Sequence, residues 1–176
     1  MEKGAKIFAV DLAPARLERA KELGATHLIN NRKGDCVEQI MKATNGKGVD
    51  FIVECIGLPI GWHICQDLVA VGGQISILGV HGRPGSFALD KLWDRNVSIH
   101  TGMVHGYTIQ SFIDRIGAGK MDAAKLISHP FSLKQVEEAY TFFKGAARTG
   151  SLKVLLSNDV TQQVSKDAAV AVEADE

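Results

Sequence analysis

The chain has 176 residues, enough for one domain of ordinary size. Its 20 Lys+Arg balance 20 Asp+Glu, and a net charge of zero argues against the basic footprint of a nucleic-acid-binding domain. Hydrophobic residues at 45%, with 18 Gly and only 4 Pro, indicate a globular chain rather than a disordered one, and no apolar run reaches the roughly 18 residues of a membrane span.

Ala5 to Asp11 is a short apolar run ending in an acid, the pattern of a buried parallel strand. Pro14 suits the first turn of a helix, Leu17, Ala20 and Leu23 give that helix an apolar stripe, and Gly24 offers a left-handed stop. Thr26 to Asn30 reads as a second strand. Asp35 is placed to cap a helix that buries Val37, Ile40 and Met41, and Asn45-Gly46-Lys47-Gly48 ends it. Val49 to Cys55 is a third strand. Pro59 opens a helix carrying Ile60, Ile64 and Leu68, which Gly72-Gly73 is expected to end, and Gln74 to Gly79 is a fourth strand.

Val97 to Thr101 reads as another strand. Ile109, Phe112, Ile113 and Ile116 form a helical stripe stopped at Gly117 or Gly119. Ser132-Leu133-Lys134-Gln135 is a capping-box pattern leading a helix with Val136, Ala139, Tyr140 and Phe143 inside. Leu152 to Leu156 is a last strand, and Thr161 to Glu176 fades into a polar tail. The alternation of strand and helix up to Thr101 implies an α/β fold with a parallel sheet and helices on both faces. Cys36, Cys55 and Cys65 are odd in number and form no CxxC pair, and the N-terminus enters the first strand without a signal-peptide core. Both point to a reducing, cytoplasmic setting.

Asp11 is the first residue with chemical promise. In a dinucleotide-binding fold an acid at this strand end accepts hydrogen bonds from the adenosine ribose, and its charge repels a 2′-phosphate, favouring NAD over NADP. The competing reading is a residue that merely starts the turn before the helix. The glycine fingerprint of such folds lies roughly 20 residues before that acid. Only ten residues precede Asp11, and Gly4 alone does not make the motif.

Phe8-Ala9-Val10-Asp11, Arg16-Leu17, Ala20-Lys21 and Leu23-Gly24-Ala25 together resemble the second strand and following helix of the zinc-type medium-chain alcohol dehydrogenases. The resemblance continues through Gly46-Lys47-Gly48-Val49-Asp50, Glu54-Cys55-Ile56-Gly57, Gly72-Gly73 and Leu78-Gly79-Val80. It ends with His129-Pro130-Phe131, Glu137-Glu138-Ala139-Tyr140 and Leu152-Lys153-Val154, and so covers about residues 4 to 157.

The resemblance implies a cofactor site for NAD. Asp11 would hold the adenosine ribose and Arg16 would reach the same sugar. Cys55, Ile56 and Gly57 would form a ledge beside adenine and ribose. Leu78 and Val80, flanking Gly79, would offer backbone groups to the nicotinamide carboxamide. Gly102 and Val104 would pass close to the nicotinamide, and Lys153 would meet the pyrophosphate. Bland readings stand beside these: Arg16 as a solvated helix charge, Leu78 and Val80 as strand core, Lys153 as an edge charge.

The family also carries catalytic zinc on an N-terminal domain, and often a four-Cys structural zinc. No such ligand pattern occurs in this sequence, whose six histidines, at 27, 63, 81, 100, 105 and 129, are scattered. Tyr140 and Lys144 form a YxxxK with Ser128 twelve residues upstream, the trio of short-chain dehydrogenases. Tyr140 shares a stripe with Val136 and Phe143, which favours a place in the core.

The family's sheet order is 3-2-1-4-5-6. The expected fold is therefore a Rossmann-like, doubly wound parallel sheet lacking its first, central strand, followed by a helix-helix-strand segment. Residues 4–104 would be a partial dinucleotide-binding domain, 105–157 the C-terminal segment of a catalytic domain, and 158–176 a disordered tail. The function this implies is the NAD-binding portion of an enzyme that oxidises an alcohol to an aldehyde or ketone. As a truncated chain it is expected to be inactive alone, to form homo-oligomers, and to engage neither nucleic acid nor membrane. A non-catalytic nucleotide-binding or assembly module is the alternative, and a Rossmann-like methyltransferase, which would need its own glycine loop before Asp11, is a third.

Overall fold

The computed structural model describes residues 4–103 and 106–158. The chain divides into two compact units, Met1–His105 and Gly106–Glu176. Val104 and the stretch from residue 159 onward, read above as a nicotinamide contact and a tail, lie outside the described residues.

In the first unit β1 (Phe8–Asp11) and β2 (His27–Asn30) pair in parallel, with Asp11 opposite Asn30. Between them α1 (Pro14–Glu22) starts on its proline, whose missing N–H has no intrahelical partner to lose, and it buries Leu17. Gly24 follows the helix at φ +104°, a conformation costly for any side chain. A short 3₁₀ turn, Asn31–Lys33, then leads to α2 (Cys36–Ala43). Asp35 stands at the head of α2 but its side chain does not cap it. The Cys36 N–H instead donates to Asn31 Oδ1 at 3.0 Å, and Asp35 Oδ1 accepts from Gln39 Nε2. The 3₁₀ turn brings Asn31 over the helix end, while Asp35, at φ −105° and ψ 12°, lacks the extended conformation an N-cap uses.

β3 (Val49–Glu54), β4 (Val69–Ile77) and β5 (Ser98–Thr101) form a second parallel sheet, with α3 (Pro59–Leu68) and α4 (Leu89–Leu92) between successive strands. Gly72-Gly73 does not end α3. Val69 already leaves the helix in extended conformation, and the glycine pair sits inside a bulge of β4 opposite β3. Gly72, at φ +74°, turns the chain there and donates its N–H to Arg95 O at 2.7 Å.

The strand orders are β2-β1 and β3-β4-β5, so among the described residues β1 and β3 each pair on one side only. Among the described residues this is a Rossmann-like parallel arrangement in which no strand bridges β1 and β3. Side chains, rather than a hydrogen-bond ladder, join the two sheets. Ile29, Cys36, Ile40 and Leu68 are buried together, with Phe8 of β1 and Ile52 of β3 packed against them. Trp62, Cys65, Val69, Ile75 and Leu92 form a second cluster between α3, β4 and α4. Burial pushes the Cys65 thiol up to about 12.

The second unit contains α5 (Ile109–Gly117), β6 (Ile127–Ser132), α6 (Val136–Lys144), α7 (Ala146–Thr149) and β7 (Lys153–Ser157). β6, which pairs in parallel with β7, adds a strand to the expected helix-helix-strand segment. Pro130 sits within it, tolerated because β6 has a strand neighbour on only one side. The Ser132–Gln135 capping box forms, opening the 3₁₀ turn that feeds α6. Of the stripe expected inside α6, Ala139 is buried while Tyr140 and Phe143 are exposed.

Ile40, with 2% of its surface exposed, lies at the junction of the two sheets. Ile40→Ala is expected to lower the unfolding free energy by about 2–5 kcal/mol in urea titration. A loss below about 1 kcal/mol would mean that this cluster does not hold the sheets together.

Candidate functional site

In open parallel sheets, ligands bind beyond the carboxyl ends of the strands. Three features of the first unit converge at those ends.

The first is the β1 terminus. Asp11 Oδ1 accepts the Ala13 N–H at 2.8 Å, shaping the turn into α1. Arg16 Nη1 approaches Asp11 Oδ2 at 3.7 Å, with each side chain about one third exposed. In such a setting the ion pair contributes about 0–1 kcal/mol. The structure thus brings Asp11 and Arg16 together. It adds Arg32, whose Nε donates to Leu12 O at 2.8 Å and sets a second guanidinium at this turn. An ionised carboxylate has about four acceptor positions. Asp11 uses one firmly, so it keeps capacity for a ligand diol.

The second feature is the corner between the ends of β3 and β4. Glu54 is buried, with 1% of its side chain exposed. Its Oε1 accepts N–H groups from Ile56 at 2.9 Å and Gly57 at 3.0 Å. Its backbone carbonyl accepts the N–H groups of Leu78 at 2.8 Å and Gly79 at 3.0 Å. One residue therefore binds both the Cys55-Ile56-Gly57 turn and the Leu78-Gly79-Val80 segment. The backbones touch: a Cβ built on Gly57 would lie 2.5 Å from Val80 O, and one on Gly79 would lie 2.5 Å from Glu54 Oε2 and collide with Gly57 N. Leu78 and Val80 project their side chains into solvent rather than into a core. Since the Leu78 N–H is engaged, its carbonyl is the group it offers. Cys55 is exposed, and partial desolvation together with the Glu54 charge raises its thiol pKa.

The third feature is the loop after β4. His81 Nε2 lies 3.1 Å from Glu54 Oε2. Five residues on, Ser86 is held by α3: its carbonyl accepts Trp62 Nε1–H at 2.7 Å and a Gln66 amide hydrogen at 3.1 Å.

Gly102 follows β5, exposed, with open space where a Cβ would stand. Lys153 begins β7 in the second unit and is exposed. Ser128 Oγ accepts the Leu152 N–H at 2.8 Å and donates to Lys153 O at 3.1 Å, so it is tied to β7 rather than to Tyr140. Glu54 and His81 were not singled out in the sequence as site residues. The available signal for Glu54 was an acid ending an apolar strand, as at Asp11, here with a glycine three residues on.

The sequence model of the zinc-binding dehydrogenases matches residues 2–118. The chain belongs to this family. It is 32% identical over 134 residues to a sorbitol dehydrogenase of Bacillus subtilis, covering 76% of this chain and 38% of that protein. A zinc dependent alcohol dehydrogenase 2 from Streptococcus pneumonia, in its apo form, superposes with a TM-score of 0.84 at 37% identity, covering 88% of this chain and 45% of that one. A short chain alcohol dehydrogenase of Escherichia coli CFT073, complexed with cofactor NADH, superposes with a TM-score of 0.78 at 25% identity, covering 86% of this chain and 44% of that one. The chain thus spans about two fifths of the curated relatives' length. Among the described residues no group of three or more His, Cys, Asp or Glu side chains could hold a metal ion. The described residues do not fit a zinc site. Nor is any described helix long and apolar enough to cross a membrane.

Gly79→Ala is expected to cost about 1–3 kcal/mol by forcing the Glu54 corner apart. Gly82→Ala, with nothing within 4 Å of its Cβ, should stay within about 0.5 kcal/mol of the parent. Equal melting shifts for the two variants would refute the close-packed corner. Thiol labelling at about pH 8 should modify the exposed Cys55 first. Cys65, buried and titrating at about 12, stays protonated there and should react only on unfolding.

Proposed function

We propose that this chain is the NAD(H)-binding part of a zinc-dependent alcohol dehydrogenase, and that alone it holds the nucleotide without turning over an alcohol. The observation that carries this reading is the pairing of a partly exposed acid at the end of β1 with a backbone-lined corner at the ends of β3 and β4, all inside the stretch matched to the family. On this reading residues 4–104 are the partial cofactor domain and 105–157 the C-terminal segment of the catalytic domain. The whole enzyme acts in the cytoplasm as a homo-oligomer on a small alcohol or ketone.

When bound, NAD supplies the hydride acceptor for oxidising the alcohol. The chain's own residues bind and orient it. The Asp11 carboxylate accepts from the ribose hydroxyls, with Arg16 reaching the same sugar. Cys55, Ile56 and Gly57 form the ledge beside it. The Leu78 carbonyl and the Val80 backbone, held apart by Gly79, address the carboxamide, and Gly102 lies beside the ring.

Titration calorimetry should give an NAD Kd of about 1 mM, roughly 4 kcal/mol of binding. NADP should bind about tenfold more weakly because its 2′-phosphate meets Asp11, and Asp11→Ala should close that gap. NAD should also slow Cys55 alkylation. No binding up to about 10 mM would end the nucleotide assignment. Zinc-supplemented oxidation of simple alcohols at a turnover number of about 1 per second or more would end the claim of inactivity.

A further inference from the structure

We propose that His81 is a positioning residue for the nicotinamide side of the cofactor crevice: by donating to the buried Glu54 carboxylate it clamps the segment after β4 onto the turn after β3. This deepens the nucleotide-binding reading above and rests on it for the ligand, though not for the clamp.

The geometry is specific. Glu54 is buried, and a buried carboxylate must be matched by donors. Two donors, the Ile56 and Gly57 N–H groups, come from the turn immediately after β3. The third is His81 Nε2 at 3.1 Å, from the segment that follows β4. A carboxylate only accepts, so the His81 proton sits on Nε2. The backbone ladder binds the two segments through the Glu54 carbonyl only as far as Gly79. Beyond it Val80, 89% exposed, lies between that ladder and the His81 contact.

The second anchor of the loop is Ser86, held by Trp62 and Gln66. A Cβ on Gly85 would stand 2.9 Å from Trp62 Cδ1, so the loop lies close on α3 there. Without His81, the stretch from Val80 to Pro84 would run from Gly79 to the α3 contact at Gly85 and Ser86 without that side-chain anchor. The position of the Val80 backbone against Gly57 therefore depends on one imidazole.

The test compares His81→Leu, His81→Gln and His81→Asn in the full chain. Leucine removes the donor. Glutamine places an amide N–H near the Nε2 position, and asparagine falls one methylene short. His81→Leu should raise the Cys55 alkylation rate and the NAD Kd by about tenfold each, with glutamine restoring both and asparagine restoring neither. Should the leucine variant fail to fold, the glutamine–asparagine contrast decides. In the unsubstituted chain, the His81 Nε2–H should appear by NMR as a slowly exchanging proton. Unchanged Cys55 reactivity in His81→Leu, equal behaviour of glutamine and asparagine, or a freely exchanging imidazole proton would each overturn the clamp. If the parent chain binds no NAD, the nucleotide reading fails, while Cys55 reactivity and proton exchange still decide the clamp.

Discussion

A charge placed where water cannot reach it must be solvated by the protein, and the Glu54 carboxylate is such a charge. Its effective desolvation cost is several kcal/mol unless hydrogen bonds replace the lost water. The donors found for it dictate the local chain. The Gly57 N–H reaches it because Gly57 adopts φ +72°. Gly61, inside α3, leaves the space in which Oε1 sits, since a Cβ there would come within 2.5 Å of it. A glycine within a helix costs about 0.5–1 kcal/mol relative to alanine. That cost is offset by what its missing side chain admits.

Asp11 and Glu54 use the same device in opposite ways. Each ends a parallel strand and each turns the chain by accepting a backbone N–H two residues on. Burial separates their roles. Glu54 spends its acceptors on the protein and becomes a structural hub. Asp11, partly open to solvent and only loosely met by Arg16, keeps acceptors for something outside the chain. The strands bearing them belong to different sheets, so their relation is set by the side-chain cluster around Ile40 and Leu68 rather than by hydrogen bonds between strands.

The parts of this fold that were legible in the sequence are those where one signal dominates locally. The apolar runs at Phe8, Val49 and Ser98, the proline-led helices at Pro14 and Pro59 and the capping box at Ser132 all lie where composition puts them. What was not legible depended on competition or on distance in the chain. Asp35 is at φ −105°, ψ 12°, not in the extended conformation of an N-cap, and its carboxylate accepts from Gln39 instead. Gly72-Gly73 looked like a helix stop, but the chain was already extended at Val69 and needed the pair for a bulge. Tyr140 matched a core stripe but is exposed. At the site, Asp11 and Arg16 lie five residues apart and could be read together. Glu54 and His81 lie 27 apart, and only the parallel pairing of β3 with β4 brings them into contact.

The corner at Glu54 is built largely from backbone groups. Its carbonyl, the N–H groups of Ile56, Gly57, Leu78 and Gly79, and the contact of Gly57 with Val80 involve only two side chains, the carboxylate and the imidazole. Backbone groups are the same whatever side chain they carry. The physics therefore constrains a few positions tightly, namely the glycines that have no room for a Cβ and the acid they surround. It leaves the neighbouring positions free, as the solvent-facing Ile56, Leu78 and Val80 illustrate. A fold assembled this way can superpose on a relative with a TM-score of 0.84 while sharing 37% of its residues.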